Sequence, residues 1–207
     1  MASVLLVHFH MATDTNPETF PQPPEDLQQS GTQTAVLAGG CFWCTEGVFE
    51  RIPGVSDVTS GYAGGDAETA NYEATCSGRT GHAEVIKVTY NAAQISYGQL
   101  LRIFFAVAHD PTQLNRQGND RGTQYRSAIF YKTDDQKRVA EAYIQAIDDA
   151  TVFGEPVVTT LEPLETFYPA EQYHQDFMLN NPSQPYVCAV GVPKVRKLDA
   201  WLGAGVR

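Results

Sequence analysis

The sequence predicts a two-layer α/β domain, of the α+β type, around a mixed sheet, and three observations support this. Strand-length apolar runs alternate with amphipathic helical stretches along most of the chain. The 207 residues, 43% of them hydrophobic, suffice for one sizeable core. No apolar run approaches the roughly 18 residues of a membrane-spanning helix, so the apolar residues are expected to serve that core.

The elements follow in order. Residues 1–32 pass from a short apolar run into "TDTNPETFPQPPEDLQQSGTQ", whose Pro, Gln and acidic content is that of a poorly ordered extension. The domain then occupies 33–207. "TAVLA" reads as a strand, broken by Gly39 and Gly40. "CFWCTEGVFERI" has helical spacing and stops at Pro53-Gly54. "VSDVTSG" reads as a strand, "GYAGG" as a turn, and 66–82 as polar and irregular. "AEVIKVTYN" alternates, with Glu84, Ile86, Val88 and Tyr90 on one face and Val85, Lys87 and Thr89 on the other. Ser96 caps a helix over "YGQLLRIFFAVA", and a polar loop, 109–125, leads to the strand "SAIFY". "TDDQ" resembles a capping box for an amphipathic helix over 134–149. "PVVTTLEPL" is extended, "AEQYHQDFML" a short helix, and the Pro-punctuated chain after Asn180 has few regular signals and reads as a mobile C-terminal segment. There is no internal repeat.

The formal charge is −10, from 24 acidic and 14 basic residues. Such a chain gains nothing from phosphate attraction and is repelled by anionic lipid, so neither nucleic acid nor a membrane is an expected partner. The start "MASVLLVHFH" lacks the basic flank and unbroken apolar run of a secretory signal, which points to the cytoplasm. A reducing compartment favours catalytic, metal-binding or packed thiols over permanent bridges for Cys41, Cys44, Cys76 and Cys188.

"GGCFWC" carries the chemistry. Its two cysteines are spaced like half a zinc site, but no second short-spaced pair completes one, and no metal is expected. The glycines match neither dinucleotide nor P-loop patterns. Cys41 falls at a helix start, where free N–H groups stabilise a thiolate; it is either a reactive thiol or a cysteine packed at a turn. Phe42 and Trp43 either line an apolar pocket or anchor the helix. Glu84 shares a face with inward apolar residues, so its carboxyl is desolvated and available as an acid, unless it reaches solvent or pairs with Arg79 or Lys87. Loop 109–125 is long enough to carry binding groups, with Asp120, Arg121 and Tyr125 at its end, and Tyr72 supplies another phenol. Cys76 reads as a packed structural thiol, and His174 as a packed or site-adjacent imidazole.

"GGCFWC", "GYAGG", "NYEATCSGRTGHAE", "HDPTQLNRQGNDRGTQYRSAIFY" and "FYPAEQYHQDFMLNNPSQPY" together resemble the peptide methionine sulfoxide reductase A family, from about Thr34 to at least Val195. The resemblance implies an α+β roll with long coils and reduction of the S epimer of methionine sulfoxide, free or in proteins. It implies Cys41 as nucleophile, Phe42 and Trp43 as the methyl pocket, and Glu84 as the acid. Tyr72 and Tyr125 would hold the sulfoxide oxygen, with Asp120 as a further polar residue. It also implies recycling by thioredoxin or another dithiol, with no cofactor, and a monomer is expected. Where many members have Gly, this chain has Cys44, and its C-terminal region holds one cysteine, Cys188. Cys44 and Cys188 are therefore both candidates to resolve Cys41, and a relay from Cys44 to Cys188 is the favoured order.

Overall fold

The computed structural model describes residues 15–203. Strands β1 (Thr32–Gly39), β2 (Val55–Ala63), β3 (Ala83–Asn91), β6 (Ser127–Tyr131), β7 (Thr160–Pro163) and β8 (Phe167–Pro169) form one mixed sheet in the order β7-β6-β1-β3-β2-β8. Only the β6–β7 pair is parallel. A two-stranded hairpin, β4 (Arg116–Gln117) and β5 (Asp120–Arg121), interrupts the long polar loop. The helices are α1 (Phe42–Phe49), α2 (Tyr72–Cys76), α3 (Tyr97–Ile103), α4 (Asp134–Asp149), α5 (Phe177–Asn180) and α6 (Val192–Gly203).

The alternation in β3 divides the core. Ile86, Val88 and Tyr90 join the main cluster with Leu37, Phe49, Leu100 and Phe104, while Val85 joins a smaller cluster with Val36, Ala63 and Phe130 behind the sheet. Ser96 caps α3 with a complete capping box, and residues 104–108 continue it as a buried wide turn. At α4 the box is displaced. Thr133 accepts from the Gln136 N–H, but the Gln136 side chain reaches back to the Lys132 N–H.

Three stretches differ from their reading in the sequence. "GYA" continues β2 rather than turning, because Gly61, Tyr62 and Ala63 pair with β3 on one side and β8 on the other. Only at Gly64, with φ 95°, does the chain turn. Residues 66–82 contain α2, capped by Asn71, whose side chain accepts from the Ala74 N–H. The segment "AEQYHQDFML" is broken in two by Asp176 at φ 53°, and the chain after Asn180 forms α6, which buries Leu198 and Trp201.

The Pro-rich residues before β1 lie along the helices. Phe20 packs edge-on against Trp201, with ring centroids 5.6 Å apart. Arg102 donates to the carbonyls of Pro17, Phe20 and Pro21 while its guanidinium sits 5.1 Å from the Trp201 ring. Asp26 accepts from the Gly98 N–H at the start of α3. These contacts tie α3 and α6 together on the sheet's helical face.

Candidate active site

A glycine sets the nucleophile's position. Gly40 has φ 88°, and a Cβ there would stand 2.6 Å from the Gln117 side chain, so the chain leaves β1 through a turn only glycine accommodates. Cys41 is then the N-cap of α1, beside the helix's unpaired N–H groups. One of these, the N–H of Phe42, donates to Glu84 Oε2 at 3.0 Å. Strand β3 and helix α1 thereby bring the sequence-predicted acid to the sequence-predicted nucleophile.

Glu84 is 2% exposed and, among the described residues, forms no ion pair with Arg79 or Lys87. Burial pushes its carboxyl up to about 8, against the Phe42 N–H, which favours the charge. At neutral pH it is mainly protonated and can donate. Cys41 and Cys44 are both buried and hydrogen-bonded to one another. Their hydrogen bond holds the Cys44 thiol down to about 7 and, with burial and the nearby Glu84, raises Cys41. Near neutrality the first ionisation of the coupled pair therefore falls on the Cys44 side, and Cys41 retains its proton.

Cys41, Phe42, Trp43, Tyr72, Glu84, Asp120, Tyr125 and Tyr186 line a cavity of about 180 Å³. Burial foremost, aided by nearby negative groups, raises the phenols of Tyr72 and Tyr125, so both remain donors. Trp43 is held on three sides. Its N–H donates to His174 Nδ1 at 3.0 Å, Phe177 stacks on it at 3.7 Å with planes 7° apart, and Tyr186 meets it edge-on at 6.0 Å. His174 is buried, and burial lowers its pKa despite Glu171, so it stays neutral and can accept. A larger recess, about 460 Å³, lies behind the sheet between Asp66 and Glu165, but no thiol or histidine lines it.

Cys188 is not in the cavity. It is exposed, and its thiol donates to the Pro182 carbonyl at 3.4 Å. Cys76 is exposed too, not packed under the strand as its sequence context suggests. Tyr186, Phe177 and Glu171 were missed in the sequence. Tyr186 donates to Asp120 in a short hydrogen bond, and its signal was a tyrosine in the Pro-punctuated "NNPSQPY". Among the described residues no group of three His, Cys, Asp or Glu side chains is placed to hold a metal ion.

A family model described as peptide methionine sulfoxide reductase matches residues 33–202. The chain belongs to that family. It is 53% identical over 168 residues to peptide methionine sulfoxide reductase MsrA 2 of Mesorhizobium japonicum, spanning 81% of this chain and 86% of that protein. It is 52% identical to MsrA 2 of Synechocystis, over 84% of this chain and 81% of that one. Among solved structures it superposes on reduced Mxr1 of Saccharomyces cerevisiae with a TM-score of 0.68 and 35% identity, covering 81% of this chain and 92% of that one. Methionine sulfoxide reductase A of Corynebacterium diphtheriae gives a TM-score of 0.65 at 36% identity, with 79% and 84% covered. Methionine sulfoxide reduction of the MsrA type, a thiol-dependent oxidoreduction, is therefore this chain's activity, and the mixed sheet flanked by helices is the fold of its relatives.

Proposed function

We propose that the protein reduces the S epimer of methionine sulfoxide, free and in oxidised proteins, with Cys41 as nucleophile and Glu84 as acid. The observation that carries this reading is the Phe42 N–H to Glu84 bond, which holds a neutral carboxyl at the helix end where Cys41 stands. Substrate binds with its methyl group against Phe42 and Trp43 and its oxygen toward Glu84, Tyr72 and Tyr125. The Cys44 sulfur takes the Cys41 proton as Cys41 attacks the sulfoxide sulfur. Glu84 protonates the oxygen, which is a poor leaving group until then. The S–O oxygen passes to Cys41, leaving methionine and a cysteine sulfenic acid. The two electrons that reduce the sulfoxide come from the Cys41 sulfur.

Cys44 then attacks the sulfenic sulfur, forming the Cys41–Cys44 disulfide and releasing water. Its thiol already bonds to Cys41, which supports this as the first disulfide. Cys188, on the surface, would next attack Cys44 and pass the disulfide outward, where thioredoxin or another dithiol reduces it. No metal or organic cofactor enters these steps. The protein would act in the cytoplasm as a monomer.

Separated sulfoxide epimers with dithiothreitol test the reading. The S epimer should turn over and the R epimer should not, and Cys41→Ser should abolish turnover. Equal use of both epimers, or activity surviving in Cys41→Ser, would contradict it.

A further inference from the structure

Glu171 stands outside the cavity, yet both sides of the cavity depend on it. Its Oε1 accepts from the Tyr72 N–H at 2.9 Å, at the first residue of α2. Its Oε2 accepts from the Tyr62 hydroxyl at 2.8 Å, and Tyr62 is fully buried with its ring 5.8 Å from Phe42. The same Oε2 lies 3.8 Å from His174 Nε2. The indole of Trp43 is only a donor, so His174 Nδ1 must accept and the imidazole proton must sit on Nε2. That N–H is buried and makes no hydrogen bond among the described residues. Its polar neighbour is the Glu171 carboxylate.

We propose that Glu171 is a positioning residue that couples the methyl-binding and oxygen-binding walls of the pocket. It holds Tyr72 through the backbone of α2, Phe42 through Tyr62, and Trp43 through the tautomer of His174. Burial opposes the charge, but the Tyr72 N–H, the Tyr62 hydroxyl and His174 together keep the carboxyl below its ordinary range. The charge is therefore present at neutral pH. A carboxylate is the group that can accept from Tyr72 and Tyr62 on separate oxygens while it faces the His174 N–H at 3.8 Å, since an amide offers one oxygen and a hydroxyl is too short. The inference rests on the activity proposed above, because it assigns the two walls their parts of one substrate.

The test compares Glu171→Leu and Glu171→Gln with wild type, in kinetics and in the emission of Trp43. The chain has two tryptophans, so a Trp201→Phe background leaves Trp43 as the sole emitter. Glu171→Leu should raise KM for free S-methionine sulfoxide on the order of tenfold, the equivalent of one charge-assisted hydrogen bond, with a smaller fall in kcat. It should also shift the Trp43 emission. Glu171→Gln keeps the shape and one acceptor, so it should fold as wild type and show intermediate values in both readouts. Kinetics within twofold of wild type in both variants, or a raised KM with unchanged Trp43 emission, would overturn the proposal. Wild-type turnover reports separately on the activity, whereas the emission needs no turnover and reports on the Glu171 link alone.

Discussion

Cys41, Phe42, Trp43 and Glu84 stand on α1, at its N-cap, and on β3, whereas Tyr72, Asp120 and Tyr125 stand on a five-residue helix, a two-residue strand and a single helical turn, and Tyr186 on the helical turn that leads into α6. The first group holds its geometry through the sheet. The second is held by side-chain hydrogen bonds that reach its short elements from outside: Glu171 to the Tyr72 N–H, Tyr186 to Asp120, Gln124 to the Cys76 carbonyl. The difference separates two tasks. The reacting groups and the methyl wall share one fixed geometry, which secondary structure supplies, while the groups on the oxygen side sit on short segments held by side chains.

Removing the oxygen-side donors is the strongest way to break that division. Tyr72→Phe and Tyr125→Phe should each slow reduction on the order of 100-fold without changing how readily Cys41 is alkylated, because each deletes one hydrogen bond to the developing charge. Single-turnover methionine formation alongside thiol alkylation checks this; a loss of alkylation would show that the two sides are not independent. Exchange at the second thiol sharpens it. Cys44→Ser should release one equivalent of methionine and stop at the sulfenic acid, whereas Cys188→Ser should still form the Cys41–Cys44 disulfide, as read by peptide mapping without reductant. The smallest effect is on stability. Glu46, behind Phe177, is pushed to about 7 and Glu84 to about 8, mainly by burial. Both folded values lie above the unfolded carboxylate value, so this contribution is complete below about pH 4 and lost as pH rises through 7 to 8. The melting temperature should fall between pH 5 and 8, and Glu46→Gln should flatten that fall.

The same division governs what could be read beforehand. β3 was legible because alternation in "AEVIKVTYN" is a period-2 signal, and it placed Glu84 on the buried face. α1 was legible from its glycines and its apolar spacing, although it ends at Phe49, ahead of the stop expected at Pro53. The helix α6 was not, because prolines and a helical turn at 187–191 precede it and its burial is created by distant partners, Phe20 and Arg102. Glu171 and Phe177 escaped for a related reason. Their roles arise from hydrogen bonds and stacking across more than 90 residues, which no local pattern encodes. Glycine explains one such contact after the fact: a Cβ at Gly47 would stand 2.5 Å from the Met178 sulfur, so α5 docks on α1 only because that position is bare.

The most direct test is the pH dependence of single-turnover methionine formation in wild type and Glu84→Gln. With the thiol pair ionising near 7 and Glu84 losing its proton near 8, the wild-type rate should rise through about 7 and fall above about 8. Glu84→Gln should be slower by about 10² or more and should lose the falling limb, keeping only the rise. A wild-type rate that continues upward through pH 9, or a Glu84→Gln enzyme with the wild-type bell, would contradict Glu84 as the proton donor.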